Sequence, residues 1–325
     1  VFCGTLGLLP VDKVEKAARA GDLVVLTGGR TGRDGIGGAT FSSDALGASS
    51  SRVSSGAVQI GNAITERRGM DAQMRARDLG LYRSVTDCGA GGLSSAVGEM
   101  GAELGAEVEL EKVPLKYEGL SYAEIWLSEA QERMVFAVPP DKAEAFEKCF
   151  AAEGVEATVL GRFTGDGVLR LRFEGEPVGE IPMRFLHEGR PVWEGRAVLP
   201  KPSLPKELPS ALPDLGRALL TLLADPTVAS KEAVVRQYDH EVQGQTVGKP
   251  FVGHDGPADA AVLTPVLGSK RAAVLGHGIG FRLGDLDPYQ MAAQAIDEAL
   301  RNVVAAGGDP ERTVLLDNFC WGGCA

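Results

Sequence analysis

The sequence predicts an α+β fold with mixed sheets and helices, because strand-like and helix-like hydrophobic patterns alternate along its 325 residues. In residues 132–186 a strand is followed by a helix and three further strands, an order that builds a mixed sheet covered by helices. A second observation is the segment 199–215, LPKPSLPKELPSALPDL, whose five prolines interrupt helices and strand ladders alike. It predicts a boundary between a first domain, residues 1–200, and a second domain with the linker, residues 201–325.

The first domain is predicted to open with a buried strand that enters a glycine-rich loop. A helix ending near Gly80, a strand, a glycine turn and a second helix follow. A strand, a helix stopped by Gly154 and three strands complete the domain. The predicted strands are 23–29, 81–87, 132–140, 155–164, 168–175 and 176–186, and the predicted helices are 62–78, 93–105 and 141–154.

The second domain is predicted to contain short helices, a pair of strands, a long helix and a last strand. The long helix shows apolar residues at three-to-four spacing and stops at two glycines. The predicted helices are 214–224, 229–237 and 287–308, and the predicted strands are 260–266, 271–281 and 313–319.

Composition and charge argue against several classes of protein. The chain is 44% hydrophobic and 24% charged, and it has no apolar run near the roughly 20 residues that span a bilayer, so no membrane role is expected. The net charge of −11 argues against nucleic acid as a partner. Five scattered cysteines are typical of a reducing compartment and predict a cytoplasmic protein. The start lacks a basic leader and an initiating Met, and the chain looks cut at both ends.

A glycine-rich loop is the first candidate for chemistry. TGGRTGRDGIGG, residues 27–38, holds six glycines, which let the backbone approach a ligand and turn its N–H groups toward an anion. Arg33 and Asp34 add one charge of each sign. The loop is neither a Walker loop nor a dinucleotide fingerprint. A long surface turn explains its glycines equally well.

An acidic residue in SVTDCGAGGLSSAVGEMG, residues 84–101, is the second candidate. Asp87 ends a predicted strand and faces a glycine turn and a helix N-terminus. A carboxylate there could cap the helix. Alternatively it could hold Mg²⁺, with the metal and the helix N–H groups sharing one phosphate.

Two further clusters of polar residues are weaker signals. Glu129 and Gln131 in LSEAQERMVF precede a buried strand, where charged residues often mark only the entrance of a strand. The segment 237–247, QYDHEVQGQTV, brings acidic residues next to His240, but no Ser or Cys nucleophile lies at a diagnostic spacing. Neither cluster establishes a function by itself.

Six motifs nevertheless occur in an order that is typical of one enzyme family. They are GRDGIGGATF, AVQIGNAITE, TDCGAGGLSSAVGEMG, VPLKYEGLSYAEIWLSEAQERM, QYDHEVQGQTV and DPYQMAAQAIDEALRNVVAAGGDPERTVLLDNFCWG. Together they resemble phosphoribosylformylglycinamidine synthase, and more narrowly its synthetase subunit in purine biosynthesis. The resemblance covers essentially the whole chain and implies an internal segment of a duplicated aminoimidazole ribonucleotide synthetase-like unit. Residues 1–200 would be the C-terminal-type lobe of the first repeat, and residues 201–325 the linker and N-terminal-type lobe of the second.

The resemblance implies an ATP-dependent ligase with glutamine as amido donor. Such an enzyme converts formylglycinamide ribonucleotide to the formylglycinamidine through an iminophosphate, using ammonia that a glutaminase subunit releases. ATP as substrate, Mg²⁺, the glutaminase subunit and a small accessory subunit are the implied ligands and partners.

The resemblance also implies roles for six residues. Asp87 matches a Mg²⁺ ligand, and Asp317 in LLDNFCWG matches a nucleotide-binding aspartate. Gln59 and the tripeptide Glu129-Ala130-Gln131 match substrate-binding positions. The family usually has serine where this chain has Ala130, so a hydroxyl contact is lost there.

Two departures from the family pattern limit what the chain is expected to do alone. The motif HNHPS, with the family's catalytic histidine, does not occur in the sequence, so no catalytic residue is assigned. After Asp317 the family usually continues to Gly-Asn-Pro, whereas this chain ends in GGCA. We therefore expect the isolated segment to be inactive.

Two alternatives remain open from the sequence. One is another ATP enzyme of the superfamily, similar to selenophosphate synthetase or thiamine-phosphate kinase. The other is a non-catalytic folded fragment with a vestigial site. Titration with Mg-ATP and with the ribonucleotide separates these alternatives from the ligase.

Overall fold

The structure is a computed structural model that describes residues 6–38, 61–192, 194–196, 198, 214–237, 244–254 and 256–317. The chain divides into two compact units. Pro10–Trp193 makes up most of the first unit, and Glu194–Asn318 makes up most of the second. The assignment of these units to two repeats of a duplicated fold stays a prediction.

The first unit is built on a seven-stranded mixed sheet. Its strand order is β2-β4-β1-β5-β3-β6-β7. Neighbouring strands are antiparallel except for β3 and β6, which run parallel. The strands are β1 Leu23–Gly28, β2 Ser84–Asp87, β3 Ala106–Glu109, β4 Arg133–Val138, β5 Ala157–Phe163, β6 Val168–Phe173 and β7 Glu176–Pro182. With helices on this sheet, the predicted α+β class is confirmed.

Helices contribute core residues to two clusters, one on each face of this sheet. Successive side chains of a strand point to opposite faces, and in β1 Val25 joins one cluster while Val24 and Leu26 join the other. On the Val25 side, Phe136 packs against Phe146 with ring centroids 5.1 Å apart. The helices are α1 Ala63–Asp78, α2 Leu93–Met100, α3 Tyr122–Leu127, α4 Ala143–Ala152 and α5 Met183–Glu188. Residues of α1 and α4 belong to the Val25 cluster, and residues of α2, α3 and α5 belong to the other.

The order of β2, β4 and β1 brings three chain segments to one edge of the sheet. Strand β4 lies between β1 and β2 and is antiparallel to both, so β1 and β2 run in the same direction. Gly28 at the end of β1 pairs with Arg133, and Asp87 at the end of β2 pairs with Met134. The residues after β1, after β2 and before β4 are therefore neighbours.

The second unit contains a three-stranded antiparallel sheet of order β12-β11-β8 and a long helix. Glycines let the two approach closely: a β-carbon on Gly276 would lie 2.6 Å from the carbonyl oxygen of Ala299. The strands are β8 Thr246–Gly248, β9 Phe251–Val252, β10 Gly256–Pro257, β11 Ala260–Leu263 and β12 Ala273–Gly276, and the helices are α6 Leu215–Ala224, α7 Glu232–Val235 and α8 Pro288–Ala305. No helix within the described parts of the chain is long and apolar enough to cross a membrane.

Three of the predicted strands differ from the structure. The strand predicted at 271–281 is confined to β12, Ala273–Gly276. The strand predicted at 176–186 ends at Pro182, and the chain continues as helix α5, whose first residue, Met183, is buried in the core. The strand predicted at 313–319 is wrong over its described part, because residues 313–317 have no strand structure. Val314 and Leu316 are almost fully exposed there. Apolar alternation produces a strand only where a neighbouring strand accepts its backbone hydrogen bonds.

Candidate functional site

Three segments meet at the edge where β1 and β2 end and β4 begins. The first is the glycine-rich loop 29–38 after β1, and the second is the glycine turn 88–92 after β2. The third is the segment 128–132 before β4, which we call the entry segment. They contain three of the four candidate motifs of the sequence. In the fourth cluster, residues 238–243, which include His240, lie outside the described residues.

Asp87 is exposed at the last position of β2. The backbone after it is held by a hydrogen bond from the Cys88 N–H to the carbonyl of Arg133, at 3.0 Å. A β-carbon on Gly89 would lie 2.5 Å from Oδ2 of Asp87. Glycine at position 89 thus provides the room that the Asp87 carboxylate occupies. A helix cap, the simpler interpretation of Asp87, is absent: the N-cap of α2 is Gly92, and no side chain caps this end.

The glycine turn packs directly on the entry segment. Gly92 has φ 59° and ψ −132°, a conformation that side-chain-bearing residues rarely adopt. A β-carbon on Gly92 would also overlap the carbonyl oxygen of Ser128. The Gly91 N–H donates a hydrogen bond to Oε1 of Glu129 at 3.0 Å. Only a glycine backbone allows this approach.

Glu129 connects the glycine turn to the glycine-rich loop. Its side chain is buried, with 4% of the residue exposed, and its carboxylate accepts the Gly91 hydrogen bond. Its own N–H donates to the carbonyl of Asp34 at 2.9 Å. Glu129 therefore lies at the junction of all three segments.

The two neighbours of Glu129 in the predicted tripeptide lie in different environments. Ala130 is fully buried; its N–H donates to Oγ of Ser128 at 3.2 Å, and its carbonyl accepts from Nε of Arg133 at 2.8 Å. Gln131 is half-buried, and its side-chain amide donates to the carbonyl of Glu129 at 3.3 Å. A serine hydroxyl at position 130, which this chain lacks, would therefore lie in the interior of the entry segment.

Charges of the glycine-rich loop are paired within the unit. Nε of Arg33 lies 2.6 Å from Oε1 of Glu124, and Nζ of Lys116 lies 2.6 Å from Oδ2 of Asp34. Hydrogen bonds from Arg33 and from Ser121 lower the pKa of Glu124 to about 2. The loop thus presents backbone groups and glycines more than fixed charges, and its role as an anion-binding nest stays a prediction.

Glu132 occupies an unusual backbone conformation beside the start of α1. Its φ of 64° lies in the left-handed region, which costs a non-glycine residue about 1–2 kcal/mol. Burial raises the pKa of Glu132, and nearby Glu66 adds to this shift. A β-carbon on Gly61 would overlap the carboxylate of Glu132. Gln59, two residues before Gly61, lies outside the described residues.

Arg133 gives no distinct signal in the sequence, because an arginine at a strand entrance is usually solvated. In the structure it is 2% exposed. Burial lowers the pKa of its guanidinium. Its Nη1 donates to Oγ1 of Thr31 at 2.8 Å, and other donors bond to the carbonyls of Ala130 and Ser128. The residue joins the entry segment to the glycine-rich loop.

The carboxylates near the glycine turn suit a cation that takes most of its ligands from substrate and water. Among the residues that the structure describes, no group of three or more His, Cys, Asp or Glu side chains could hold a metal ion. Asp87 offers one exposed carboxylate beside a glycine turn. Mg²⁺ is commonly held in this way, by one or two carboxylates, substrate phosphates and water. Asp317, the predicted nucleotide-binding residue, is exposed in the second unit.

Comparisons with known proteins agree on one family. Residues 19–174 match the family described as "AIR synthase related protein, C-terminal domain". The phosphoribosylformylglycinamidine synthase subunit PurL of Methanothermobacter marburgensis is 41% identical to 98% of this chain. Almost the whole chain is thus similar to a segment of PurL. It spans less than half of that relative, 44% of its length.

Solved PurL structures resemble the chain at lower identity. PurL of Thermotoga maritima complexed with FGAR superimposes with a TM-score of 0.65 at 27% identity, covering 90% of this chain and 44% of that one. The same protein complexed with ATP gives a TM-score of 0.60 at 26% identity, covering 91% and 43%. A structure of PurLQS from the same organism gives 0.64 at 26% identity, covering 90% and 44%.

Proposed function

We propose that this chain is part of a PurL-type, ATP-dependent ligase that converts formylglycinamide ribonucleotide to the formylglycinamidine in purine biosynthesis. The observation that carries the proposal is the meeting of the glycine turn, the glycine-rich loop and the entry segment around Glu129. PurL of T. maritima, to which the chain is similar, is known in complex with FGAR and with ATP.

The chemical difficulty of the reaction is the leaving group. An amide oxygen leaves poorly, so ATP first transfers its γ-phosphoryl group to that oxygen; ADP leaves, the amide nitrogen loses its proton, and an iminophosphate forms. Ammonia then adds to the carbon, a proton is lost, and inorganic phosphate leaves with the oxygen. Phosphoryl transfer of this kind requires positioning and charge neutralisation more than a protein nucleophile.

The proposal gives the residues of the edge separate roles. Asp87 would bind Mg²⁺, which on binding would neutralise phosphoryl charge. Glu129 and Gln131 would orient the ribonucleotide, and Ala130 would contribute only through its position between them. This division is supported by the exposure of Asp87 and by the full burial of Ala130.

Further assignments complete the proposal. Gln59 would bind the ribonucleotide and Asp317 the nucleotide. Ammonia would come from glutamine through a glutaminase subunit, with a small accessory subunit in the complex, and the protein would act in the cytoplasm. The similarity to PurLQS supports an assembly of several subunits. The two units would correspond to lobes of two successive repeats.

Calorimetric titration of the chain with the ribonucleotide and with Mg-ATP tests the proposal. We expect the ribonucleotide to bind without turnover. Gln131→Ala should weaken binding about tenfold, as expected when a substrate loses one polar partner. The control Gln73→Ala, in α1, should bind like the parent. If neither ligand binds, the interpretation of the chain as a non-catalytic folded fragment is favoured.

A further inference from the structure

The guanidinium of Arg133 holds both carbonyls that flank Glu129. Nε of Arg133 donates to the carbonyl of Ala130 at 2.8 Å, and Nη2 donates to the carbonyl of Ser128. The Ser128 carbonyl belongs to the peptide group that enters Glu129, and the Ala130 carbonyl to the peptide group between Ala130 and Gln131. One rigid, planar group thus fixes the backbone on either side of a buried carboxylate.

The same guanidinium reaches the glycine-rich loop. Its Nη1 donates to Oγ1 of Thr31 at 2.8 Å, and Thr31 is fully buried. The backbone of Thr31 is itself anchored, because its N–H donates to the carbonyl of Pro114 and its carbonyl accepts from the N–H of Lys116, both at 2.8 Å. Arg133 therefore connects the entry segment to a loop that is already fixed on its far side.

Burying the charge of Arg133 costs free energy, so a contribution to stability alone does not explain its position. A buried arginine requires satisfied donors, and an apolar side chain of similar size is often as stable in the same place. Three hydrogen bonds of Arg133 go to neutral oxygens of Ser128, Ala130 and Thr31. What they secure is the relative position of two segments that border the site.

We propose that Arg133 is a positioning residue that fixes the entry segment, and with it the carboxylate of Glu129 and the amide of Gln131, for recognition of the ribonucleotide. The inference rests on the proposed function for the identity of the ligand. Arg133 contacts the carbonyls of Ser128 and Ala130, the two neighbours of Glu129, and acts through them. A lysine cannot replace it, because a single ammonium lacks the planar fork that reaches three acceptors at once.

Hydrogen exchange of the chain tests the positioning role without any ligand. In Arg133→Met and in Arg133→Lys, the amides of Glu129 and Gly91 should exchange about tenfold faster or more, because charge-assisted hydrogen bonds are lost. Exchange of Phe136, in the middle of β4, should stay like that of the parent. The control Arg162→Met removes an exposed arginine of β5, and it should leave all three amides unchanged.

Ribonucleotide binding gives the second measurement. The dissociation constant should rise about tenfold in both Arg133 variants and stay unchanged in Arg162→Met. Parent-like exchange and binding in Arg133→Lys would show that positive charge alone suffices and would overturn the proposal. Faster exchange with unchanged affinity would also overturn it.

Two further cases, variants that do not fold and a parent chain that binds no ribonucleotide, also have defined results. If the Arg133 variants do not fold, Thr31→Val removes only the hydroxyl acceptor and should still speed exchange at Glu129; parent-like exchange there contradicts the proposal. If the parent chain binds no ribonucleotide, the proposed function fails, and exchange at Glu129 and Gly91 alone decides whether Arg133 fixes the entry segment.

Discussion

Replacement of Gly92 by alanine should destabilise the first unit through two separate effects. Its φ of 59° and ψ of −132° cost a residue with a side chain about 1–3 kcal/mol. The added β-carbon would also overlap the carbonyl oxygen of Ser128, well inside the 3.0 Å below which β-carbons are essentially never found. Relief requires the turn to move away from the entry segment. That movement breaks the hydrogen bond from Gly91 to Glu129, which costs about 1–3 kcal/mol for a buried charged acceptor.

The sum predicts a loss of about 2–6 kcal/mol in the free energy of unfolding of the first unit. Urea-dependent hydrogen exchange of β4 amides measures this quantity for the unit that contains Gly92. Gly80→Ala is the matched control. Gly80 also has a positive φ, 62°, but a β-carbon there meets no atom within 4 Å, so only the backbone cost of about 1–2 kcal/mol applies. Equal losses in the two variants would refute the close packing of the turn on Ser128.

Three further results are expected. In the full-length enzyme, Asp87→Asn should lower kcat/KM about a hundredfold or more, because it removes a ligand of the metal that neutralises phosphoryl charge; the melting temperature should not change, since the carboxylate is exposed. Activity within a few-fold of the parent would remove the metal assignment. Burial raises the pKa of the Cys88 thiol to about 11, so alkylation of Cys88 in the folded protein at pH 8 should be slow and should become fast in urea, as followed by mass spectrometry of the peptide that contains it. Rapid labelling of Cys88 in the folded chain would contradict this burial. Hydrogen bonds from Arg33 and from Ser121 lower the pKa of Glu124 to about 2. The stabilisation from its ionised form should therefore be complete above the ordinary glutamate pKa of 4.5 and be lost only as the pH falls toward 2. Carboxyl NMR of the parent and of Arg33→Met checks this shift, which the variant should reduce but not abolish, because the hydrogen bonds from Ser121 remain.

Local patterns predicted most of the elements of the first unit. The strand predicted at 23–29 is β1, the helix at 62–78 is α1, and the helix at 141–154 contains α4, each within a few residues. Their apolar periodicity and glycine stops act over a few neighbouring residues, so a single sequence is enough to recognise them. The strand predicted at 313–319 shows the limit, because residues 313–317 contain an apolar run without forming a strand.

Part of the candidate site could also be predicted from the sequence. Asp87 and the tripeptide Glu129-Ala130-Gln131 stand in motifs that resemble PurL, and the comparisons support that family. The roles of these residues remain proposals. Arg133 was not among the predicted site residues, because nothing in its neighbours indicates that three acceptors from two segments surround it.

The sequence by itself determined most of the secondary structure elements of the first unit, the α+β class and the order of motifs that relates the chain to PurL. Only the tertiary structure decided which motifs meet. Segments about 40 to 100 positions apart become neighbours because β4 pairs with both β1 and β2. Strand order and burial depend on pairing between distant parts of the chain, and such pairing leaves no local pattern in a single sequence.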